Sequence, residues 1–309
     1  MNQNRSQSQN QSQNRAWQIK EAVEDALKRK RTSQPTLYML GSTDVGKTHT
    51  VIEIANMCYD WGLRVAIIDA DVGQSDIGPP CCIGMGMPHK RIMNLHEVEP
   101  CSLYFVGNTS PTGCTRECLH GIAAAVHDAK ALNPDIIIVD STGWIEGEEA
   151  RNFKLREITL VEPSLIIAIE RDNELEPILR LLLVYSDNHN HNHNDKDNCP
   201  ILPVILRLHA DERVVCRTRE ERRRMRAYSY RRYFRTAKYR TFPSIMIRDY
   251  DYDYQFEVGR LVGLFDARNA CLGLGILMGM NMKDSCVVIF TPVTGEVSEI
   301  KLARVKPDL

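Results

Sequence analysis

The sequence contains no long apolar run and no internal repeat. No stretch of about 18 apolar residues occurs, and the N-terminus lacks the apolar segment of a secretory signal peptide. These absences argue against a membrane-spanning helix and a cleaved leader, so we expect a cytoplasmic protein without membrane contact. A chain of 309 residues, 43% hydrophobic and 26% charged, is expected to form one or two globular domains.

The cysteines lack the spacing that marks a disulfide framework or a zinc site. Ten are present, of which Cys81 and Cys82 are adjacent and Cys114 and Cys118 are separated by three residues. No second pair follows at the distance that a four-cysteine zinc site requires. We therefore expect buried free thiols, as in proteins of reducing compartments.

Charge is nearly balanced over the whole chain but unevenly distributed along it. The net charge is −1, yet residues 213–240 contain 12 lysines and arginines against Glu220 and Glu221. That segment therefore carries +10, and the remainder carries −11. Such a concentration of positive charge predicts a polyanionic partner or a phosphate-rich site.

Two polar segments of low complexity differ from the rest. Residues 1–15 are almost entirely Asn, Gln, Ser and Arg, which predicts a disordered tail before a short helix at 16–30. Residues 186–198 include alternating histidines at His189, His191 and His193. We interpret this second segment as a surface loop, with metal binding by the histidines as the alternative.

Apolar strands and amphipathic helices alternate through the middle of the chain. Strands are predicted at 36–40, 64–69, 102–106, 135–140, 165–170 and 203–208, and helices at 47–61, 116–132, 148–160 and 174–184. This order predicts an α/β fold with a doubly wound parallel sheet, in a domain at 16–240. From residue 241 short apolar runs alternate with turn residues, which predicts a small C-terminal β-rich domain at 241–309.

A glycine-bounded loop follows the first of these strands and precedes a helix. It has the pattern G-x-x-x-x-G-K-T and consists of Gly41, Ser42, Thr43, Asp44, Val45, Gly46, Lys47 and Thr48. In such a P-loop, backbone N–H groups surround phosphate oxygens and the helix N-terminus adds positive potential. Lys47 suits the β- and γ-phosphates, and the Thr48 hydroxyl suits Mg²⁺. The loop predicts a P-loop NTPase fold that binds a nucleoside triphosphate.

Two aspartates follow the second predicted strand. Asp69 and Asp71 are two residues apart, so both side chains can lie on the same side of the strand. Near a P-loop, one carboxylate suits Mg²⁺ and the other suits accepting a proton from an attacking hydroxyl. Gln74 comes after a glycine turn and is a candidate for orienting a water or a phosphate.

The strands predicted at 135–140 and 102–106 also end in polar residues. Asp140 follows an apolar run, as in a Walker B strand, and competes with Asp69 for the metal. Trp144 follows at the predicted rim of the site, either as core packing or as a platform for a nucleobase. Thr109 belongs to a Gly-Asn-Thr-Ser-Pro segment that suits substrate contact or an ordinary turn.

The positive segment is predicted to form one long helix at 217–239. Arg222 and Arg226 are four residues apart and so share a helix face, and Arg217 lies near the helix start. Three guanidinium groups on one mobile element would close over a triphosphate as a lid and stabilise charge on the transferred phosphoryl group. The remaining arginines either contact a nucleic-acid backbone or belong to a solvated helix.

Together these segments resemble the polynucleotide 5′-hydroxyl-kinase family, in particular its compact archaeal-type members. The family also includes the RNA-kinase subunit of the pre-mRNA cleavage factor and a kinase of ribosomal-RNA processing. Four blocks carry the resemblance: GSTDVGKT at 41–48, DADVGQ at 69–74, DSTGW at 140–144 and RTREERRRMR at 217–226. The similarity runs from about Pro35 to the end of the chain, and Ser42 departs from the proline of many members.

The resemblance implies an ATP-dependent kinase that transfers the γ-phosphate to the 5′-hydroxyl end of RNA, with DNA as an alternative acceptor. ATP and Mg²⁺ would be its cofactors, bound through Lys47 and Thr48. Asp71 would be the general base, with Asp69 near the metal. Trp144 would stack on a base of the acceptor. The lid arginines would be Arg217, Arg222 and Arg226.

Two other functions are compatible with the sequence. A P-loop ATPase that binds RNA as the scaffold of a processing complex would hydrolyse or retain ATP without phosphorylating an acceptor. A small-molecule kinase, acting for example on nucleosides, would have no use for the +10 segment, whose charge favours a long anionic acceptor. No motif indicates a protein partner.

Overall fold

The structure of the chain is a computed structural model. It describes residues 2–29, 34–190, 203–211, 214–248, 257–281 and 283–307. The chain forms two compact units. Unit 1 comprises Met1–Ile67, Pro88–Met93 and Ala129–Cys216, and unit 2 comprises Ile68–Met87, Asn94–Asp128 and Arg217–Leu309. This division differs from the predicted domain boundary at 240/241, because each unit is built from three separate parts of the chain.

The described residues form six α-helices and thirteen strands. The helices are α1 (Asn2–Lys28), α2 (Lys47–Asp60), α3 (Thr115–Ala131), α4 (Glu148–Val161), α5 (Glu176–Asn190) and α6 (Arg219–Tyr233). The strands are β1 (Thr36–Gly41), β2 (Val65–Asp69), β3 (Cys82–Gly86), β4 (Pro100–Phe105), β5 (Ile136–Asp140), β6 (Leu165–Glu170), β7 (Val204–His209), β8 (Lys238–Pro243), β9 (Ile247–Arg248), β10 (Leu261–Phe265), β11 (Cys271–Asn281), β12 (Cys286–Thr291) and β13 (Glu299–Leu302). None of the helices described is long and apolar enough to span a membrane.

The sheet of unit 1 is parallel. Strands β5 and β6 pair with the two sides of β1, and β7 pairs with β6. Every residue of β1, β5 and β6 is buried, as expected for strands covered by helices on both faces. Met39 of β1 is aligned with Asp140 of β5. The loop after β1 and the end of β5 therefore lie at the same edge, where ligands of such sheets bind, and the predicted α/β fold is confirmed.

Unit 2 contains a six-stranded sheet in the order β8-β12-β11-β10-β13-β9. Its pairs are antiparallel except for β13 with β9. Tyr230 of α6 and the following Phe234 share one hydrophobic cluster with Leu261 and Leu274 of this sheet. The predicted β-rich C-terminal region is thus present, and α6 belongs to its core rather than to a separate domain.

Unit 2 also differs from the prediction at its strands. Strand β4, expected in a parallel sheet, pairs antiparallel with β3. Strand β3 itself was not predicted from the sequence, because its five residues include two glycines, which are poor strand formers. Helix α6 ends at Tyr233 rather than at 239, because residues 238–243 pair with β12 as β8. Strand pairing there overrides helix propensity.

The two low-complexity segments also differ from the prediction. Helix α1 begins at Asn2 and includes most of the predicted tail 1–15. Its Gln, Ser and Arg residues tolerate helical conformation, and no glycine or proline interrupts them before residue 29. In the second segment, α5 continues to Asn190 and so includes His189, whereas His191 and His193 lie outside the described residues.

Candidate active site

The P-loop of unit 1 joins β1 to α2. Asp44 and Gly46 have left-handed backbone conformations, with φ of 55° and 95°. Turns of this kind direct successive N–H groups into one concavity, a favourable place for an anion. Lys47, the first residue of α2, donates from Nζ to the carbonyl oxygens of Gly41 and Ser42 at 3.1 and 2.7 Å. Its ammonium group therefore lies over the loop that would hold phosphate.

The segment after β6 supports the P-loop. Ser42 Oγ donates to Glu174 Oε1 at 3.2 Å, and the Arg171 guanidinium donates to the Asp44 carbonyl oxygen. Burial alone would raise the pKa of Glu174, but hydrogen bonds from the backbone N–H groups of Asp172 and Arg171 lower it. Glu174 thus remains a carboxylate that fixes the loop. The support of the P-loop by Arg171 and Glu174 was not predicted, because the sequence here indicated only the start of a helix.

Thr48 and Asp140 meet at the end of the parallel sheet. Thr48 Oγ1 donates to Asp140 Oδ2 at 2.7 Å, and Asp140 is almost completely buried. A hydroxyl and a carboxylate are both oxygen ligands of the kind that Mg²⁺ prefers. The structure therefore brings together the P-loop threonine and one of the two aspartates considered for the metal.

The turn after β5 packs directly on the P-loop. A Cβ atom placed on Gly143 would lie 2.6 Å from the backbone nitrogen of Thr43, so only glycine fits there. The next residue, Trp144, is half-buried, and its ring centroid lies 5.7 Å from that of Phe153 at an interplanar angle of 39°. Trp144 thus packs against α4 and remains partly exposed, which is consistent with either role considered from the sequence.

A buried charged network lies behind this turn. Lys154 and Glu157 of α4 have fully buried side chains, with Lys154 Nζ 2.9 Å from Glu157 Oε2. Lys154 Nζ also donates to Ser141 Oγ at 2.9 Å and to the Tyr38 hydroxyl at 3.2 Å. Burial and then the charge of Glu157 raise the pKa of Tyr38 well above its ordinary value. The sequence gives no sign of this network, because α4 has the composition of a solvated helix.

In unit 2, Asp69 closes the loop that follows β2. Its Oδ1 accepts from the N–H of Asp71 at 3.1 Å. Its Oδ2 accepts from the N–H groups of Asp76 and Ile77 at 2.6 and 3.1 Å. Asp69 is buried, and its carboxylate therefore shapes the segment that carries Asp71.

Asp71 and Gln74 lie in the resulting turn. Asp71 Oδ1 accepts from the N–H groups of Gly73 and Gln74 at 3.0 and 3.1 Å, which fixes the carboxylate orientation. Gln74 Nε2 donates to the Gly73 carbonyl oxygen at 2.8 Å and to that of Arg222 at 3.2 Å. The Gln74 side chain thus links this loop to the first turn of α6.

The loop that carries Thr109 lies against the same turn. A Cβ atom on Gly73 would be 2.7 Å from the Thr109 carbonyl oxygen. The Thr109 N–H is itself bonded to Asn108 Oδ1 at 2.8 Å. Unit 2 therefore brings together three parts that are far apart in sequence: the turn with Asp71 and Gln74, the loop with Thr109, and the start of α6.

Helix α6, predicted as the lid, begins with a reciprocal cap. Glu221 N–H donates to Thr218 Oγ1 at 3.2 Å, and Thr218 N–H donates to Glu221 Oε2 at 2.7 Å. Arg222 and Arg226 lie on a half-buried face, whereas Arg217 is exposed. Arg222 Nη1 donates to the Arg217 carbonyl oxygen at 2.9 Å. Arg222 is therefore anchored to Arg217, which precedes the N-cap residue Thr218.

Within the part of the chain that the structure describes, no cluster of three or more histidine, cysteine and carboxylate residues is arranged to hold a metal. The nine cysteines described are free thiols, of which five are buried, two are intermediate and two are exposed, so the predicted burial holds for part of them.

A parallel sheet with a P-loop after one strand and a buried aspartate at the end of its neighbour defines a P-loop nucleotide-binding α/β protein. The family model described as mRNA cleavage and polyadenylation factor CLP1 P-loop matches residues 41–236. The chain belongs to this family. The matched range includes the P-loop, the Asp71 turn, Asp140 and α6.

Relatives from archaea match over most of the chain. It is 27% identical to the polyribonucleotide 5′-hydroxyl-kinase of Pyrococcus abyssi, with 87% of each protein covered. It is 29% identical to the protein of the same name from Methanocaldococcus jannaschii, with 88% of this chain and 87% of the relative covered. The family resemblance found in the sequence is thereby confirmed.

A solved structure shares the fold. The chain is similar to a chain in the structure of the wild-type Clp1p–Pcf11p complex, with a TM-score of 0.67 and 12% sequence identity. The match covers 94% of this chain and 79% of that one. At this identity the likeness concerns the fold alone.

Proposed function

We propose that the protein is an ATP-dependent polynucleotide 5′-hydroxyl kinase acting on RNA ends. The observation that carries this proposal is the Asp71 turn with its neighbours Gln74, Thr109 and α6. A P-loop alone would serve hydrolysis, whereas an oriented carboxylate beside an arginine helix suits a hydroxyl acceptor attached to a polyanion. The names of the archaeal relatives support the same activity.

The P-loop would bind ATP. Its N–H groups and Lys47 would contact the phosphates, and Thr48 with Asp140 would hold Mg²⁺, which neutralises phosphate charge when bound. Asp69, predicted for the metal from the sequence, already accepts three backbone N–H donors. We therefore assign the metal to Asp140 in preference, and to Asp69 the shaping of the Asp71 turn.

Asp71 would act as the general base. The 5′-hydroxyl oxygen attacks the γ-phosphorus, its proton passes to the Asp71 carboxylate, and the bond to the β–γ bridging oxygen breaks to release ADP. Arg217, Arg222 and Arg226 would stabilise the charge that develops on the phosphoryl oxygens. Gln74 and Thr109 would orient the acceptor end, and Trp144 would stack on one of its bases.

Transfer of labelled γ-phosphate to a 5′-hydroxyl RNA oligonucleotide tests this proposal. We expect Asp71→Ala to lower the transfer rate by about 10²–10⁴-fold, the usual contribution of a general base, with ATP binding retained. Lys47→Ala should lose both transfer and ATP binding. Asp25→Ala, in the exposed face of α1, is the control and should behave as wild type. Normal transfer by either of the first two variants would contradict the assignment.

The same assay distinguishes the rival functions. An RNA-binding ATPase scaffold would hydrolyse ATP at a rate independent of 5′-hydroxyl ends and would leave the oligonucleotide unlabelled. In a nucleoside kinase, added nucleosides would be phosphorylated and would reduce the labelling of RNA. Parallel DNA substrates would show whether the acceptor must be RNA, since contacts to the 2′-hydroxyl leave no motif in a sequence.

A further inference from the structure

Helix α6 has an outer face that the proposed reaction does not use. Arg224, Tyr228 and Arg231 are spaced by four and three residues, so they form one stripe along the helix. Arg235, four residues further on, lies in the short turn after the helix. All four side chains are exposed, in contrast to the half-buried Arg222 and Arg226. We call Arg224, Tyr228, Arg231 and Arg235 the outer stripe.

The stripe is strongly positive and little neutralised. Among the described residues, the one ion pair that involves it joins Arg224 to Glu220 at 3.3 Å, on an exposed surface where such a pair contributes little. The other carboxylate of the helix, Glu221, is used in the N-terminal cap. A solvated helix normally mixes both signs of charge, so this distribution favours a polyanion as the partner.

An exposed aromatic ring lies among these arginines. Tyr228 is 68% exposed although it occupies the middle of a helix that buries Tyr230 two residues later. A ring left in water contributes little to folding, whereas it offers a stacking surface to any nucleobase. Arginines that flank an aromatic side chain are the combination used to bind single-stranded nucleic acid without sequence preference.

We propose that the outer stripe binds the single-stranded part of the RNA that follows its 5′-terminal nucleotide. The arginines contact successive phosphates, and Tyr228 stacks on a base. The Gln74 bond to the Arg222 carbonyl oxygen joins this helix to the Asp71 turn, so a strand held on the stripe stays near the proposed base. The inference rests on the proposed function for its substrate, but it is tested by binding alone.

Fluorescence anisotropy with a 3′-labelled, 5′-hydroxyl RNA of ten nucleotides measures the binding. We expect the double variant Arg231→Gln/Arg235→Gln to weaken RNA binding about tenfold near physiological salt. The slope of log Kd against log salt concentration should fall by about 1.4, because each lost phosphate contact reduces it by about 0.7. Tyr228→Ala should weaken binding about tenfold with the slope unchanged, because stacking releases no counterions.

Matched controls separate the stripe from the general surface. Tyr239 on β8 is equally exposed, at 67%, and Tyr239→Ala should bind as wild type. Lys20→Gln/Lys28→Gln removes the same charge from exposed positions of α1 and should leave the salt slope unchanged. Thermal unfolding of each variant verifies that it is folded.

Two outcomes would overturn the proposal. The stripe variants could bind RNA as tightly as the wild type does, which is expected if the stripe binds an acidic protein instead. The wild type could also fail to bind RNA at all. The kinase assay is read separately. Phosphorylation of a dinucleotide should be unaffected by the stripe variants, whereas KM for the ten-nucleotide RNA should rise about tenfold. If the stripe variants bound RNA more weakly but the wild type had no kinase activity, the stripe would be supported and only the proposed reaction would be refuted.

Discussion

Unit 1 and unit 2 hold their candidate residues by different physical means. In unit 1, backbone groups and a buried ionic network fix the P-loop and the end of β5, as in the contact of Gly143 with Thr43. In unit 2, turns closed by Asp69 and Asp71 present side chains beside a helix with exposed arginines. We infer that changes in unit 1 affect folding and ATP, whereas changes in unit 2 affect the use of the acceptor.

The largest effect is expected from Lys154→Met in unit 1. The substitution removes the cationic partner of a fully buried Glu157, and breaking such a pair costs about 3–5 kcal/mol. Urea unfolding measures the lost free energy of unfolding.

The double variant Lys154→Met/Glu157→Met should recover most of this free energy, because an apolar pair replaces both charges. Arg180→Met, which breaks the exposed Arg180–Glu176 pair, should cost less than about 1 kcal/mol. Equal losses for Lys154→Met and Arg180→Met would show that burial does not matter here.

Two glycine substitutions separate the donor and acceptor functions. Gly143→Ala forces Cβ against the Thr43 backbone, and Gly73→Ala forces it against the Thr109 carbonyl oxygen. Overpacking of this kind costs roughly 1–3 kcal/mol, equivalent to a change of about 5- to 150-fold. We expect KM for ATP to rise in the first variant and KM for RNA in the second, in steady-state kinetics.

Gly279→Ala is the matched control for this pair. No atom lies within 4 Å of a Cβ atom at that position, so both KM values should remain at the wild-type level. If each of the two tight glycines raised both KM values equally, the division of roles between the units would be refuted.

The smallest effect concerns pH and Asp76. Burial raises the pKa of Asp76, and Asp71 adds to the rise, whereas His96, Arg232 and Arg217 oppose it. The folded protein therefore holds this proton at a pH where the unfolded chain, with a pKa of 3.8, has released it. The free energy of unfolding should fall as pH rises through this window.

The variant Asp76→Asn removes that dependence. Relative to wild type, its stability should increase from about pH 4 upward and then level off above the raised pKa of Asp76. Urea unfolding at a series of pH values measures the difference. A difference that does not change with pH would mean that the carboxyl group titrates alike in the folded and unfolded states.

The sequence was more informative for unit 1 than for unit 2. The P-loop is one contiguous motif, and strands β1 and β5 are continuous apolar runs, so their shared edge followed from topology alone. The contacts of Gln74 with the Arg222 carbonyl oxygen and of Gly73 with Thr109 join segments 36 to 148 residues apart, which no local pattern encodes. The family resemblance supplied the role of Asp71 as the general base, and this role and that of the lid arginines stay predictions until variants are measured.

Propensity failed where tertiary pairing decided the outcome. Residues 234–239 have the composition of a helix, yet residues 238–243 form a strand that pairs with β12. The Lys154 network could not be predicted either, since the burial of a lysine depends on neighbours from β1 and the turn after β5. Composition predicts the usual exposure of a segment, and a charged residue is rarely fully buried. Its burial depends on tertiary contacts, which composition does not contain.

The attachment of α6 to the Asp71 turn has a consequence for engineering. Gln74 donates to a main-chain oxygen of Arg222, and every amino acid at position 222 supplies that oxygen. The charge of the helix can therefore be redesigned at its side chains while its tether stays intact. A change at position 74 removes the tether. Attachment and chemistry are thus independently adjustable in this helix, which would let new acceptors be selected without loosening the part that presents them.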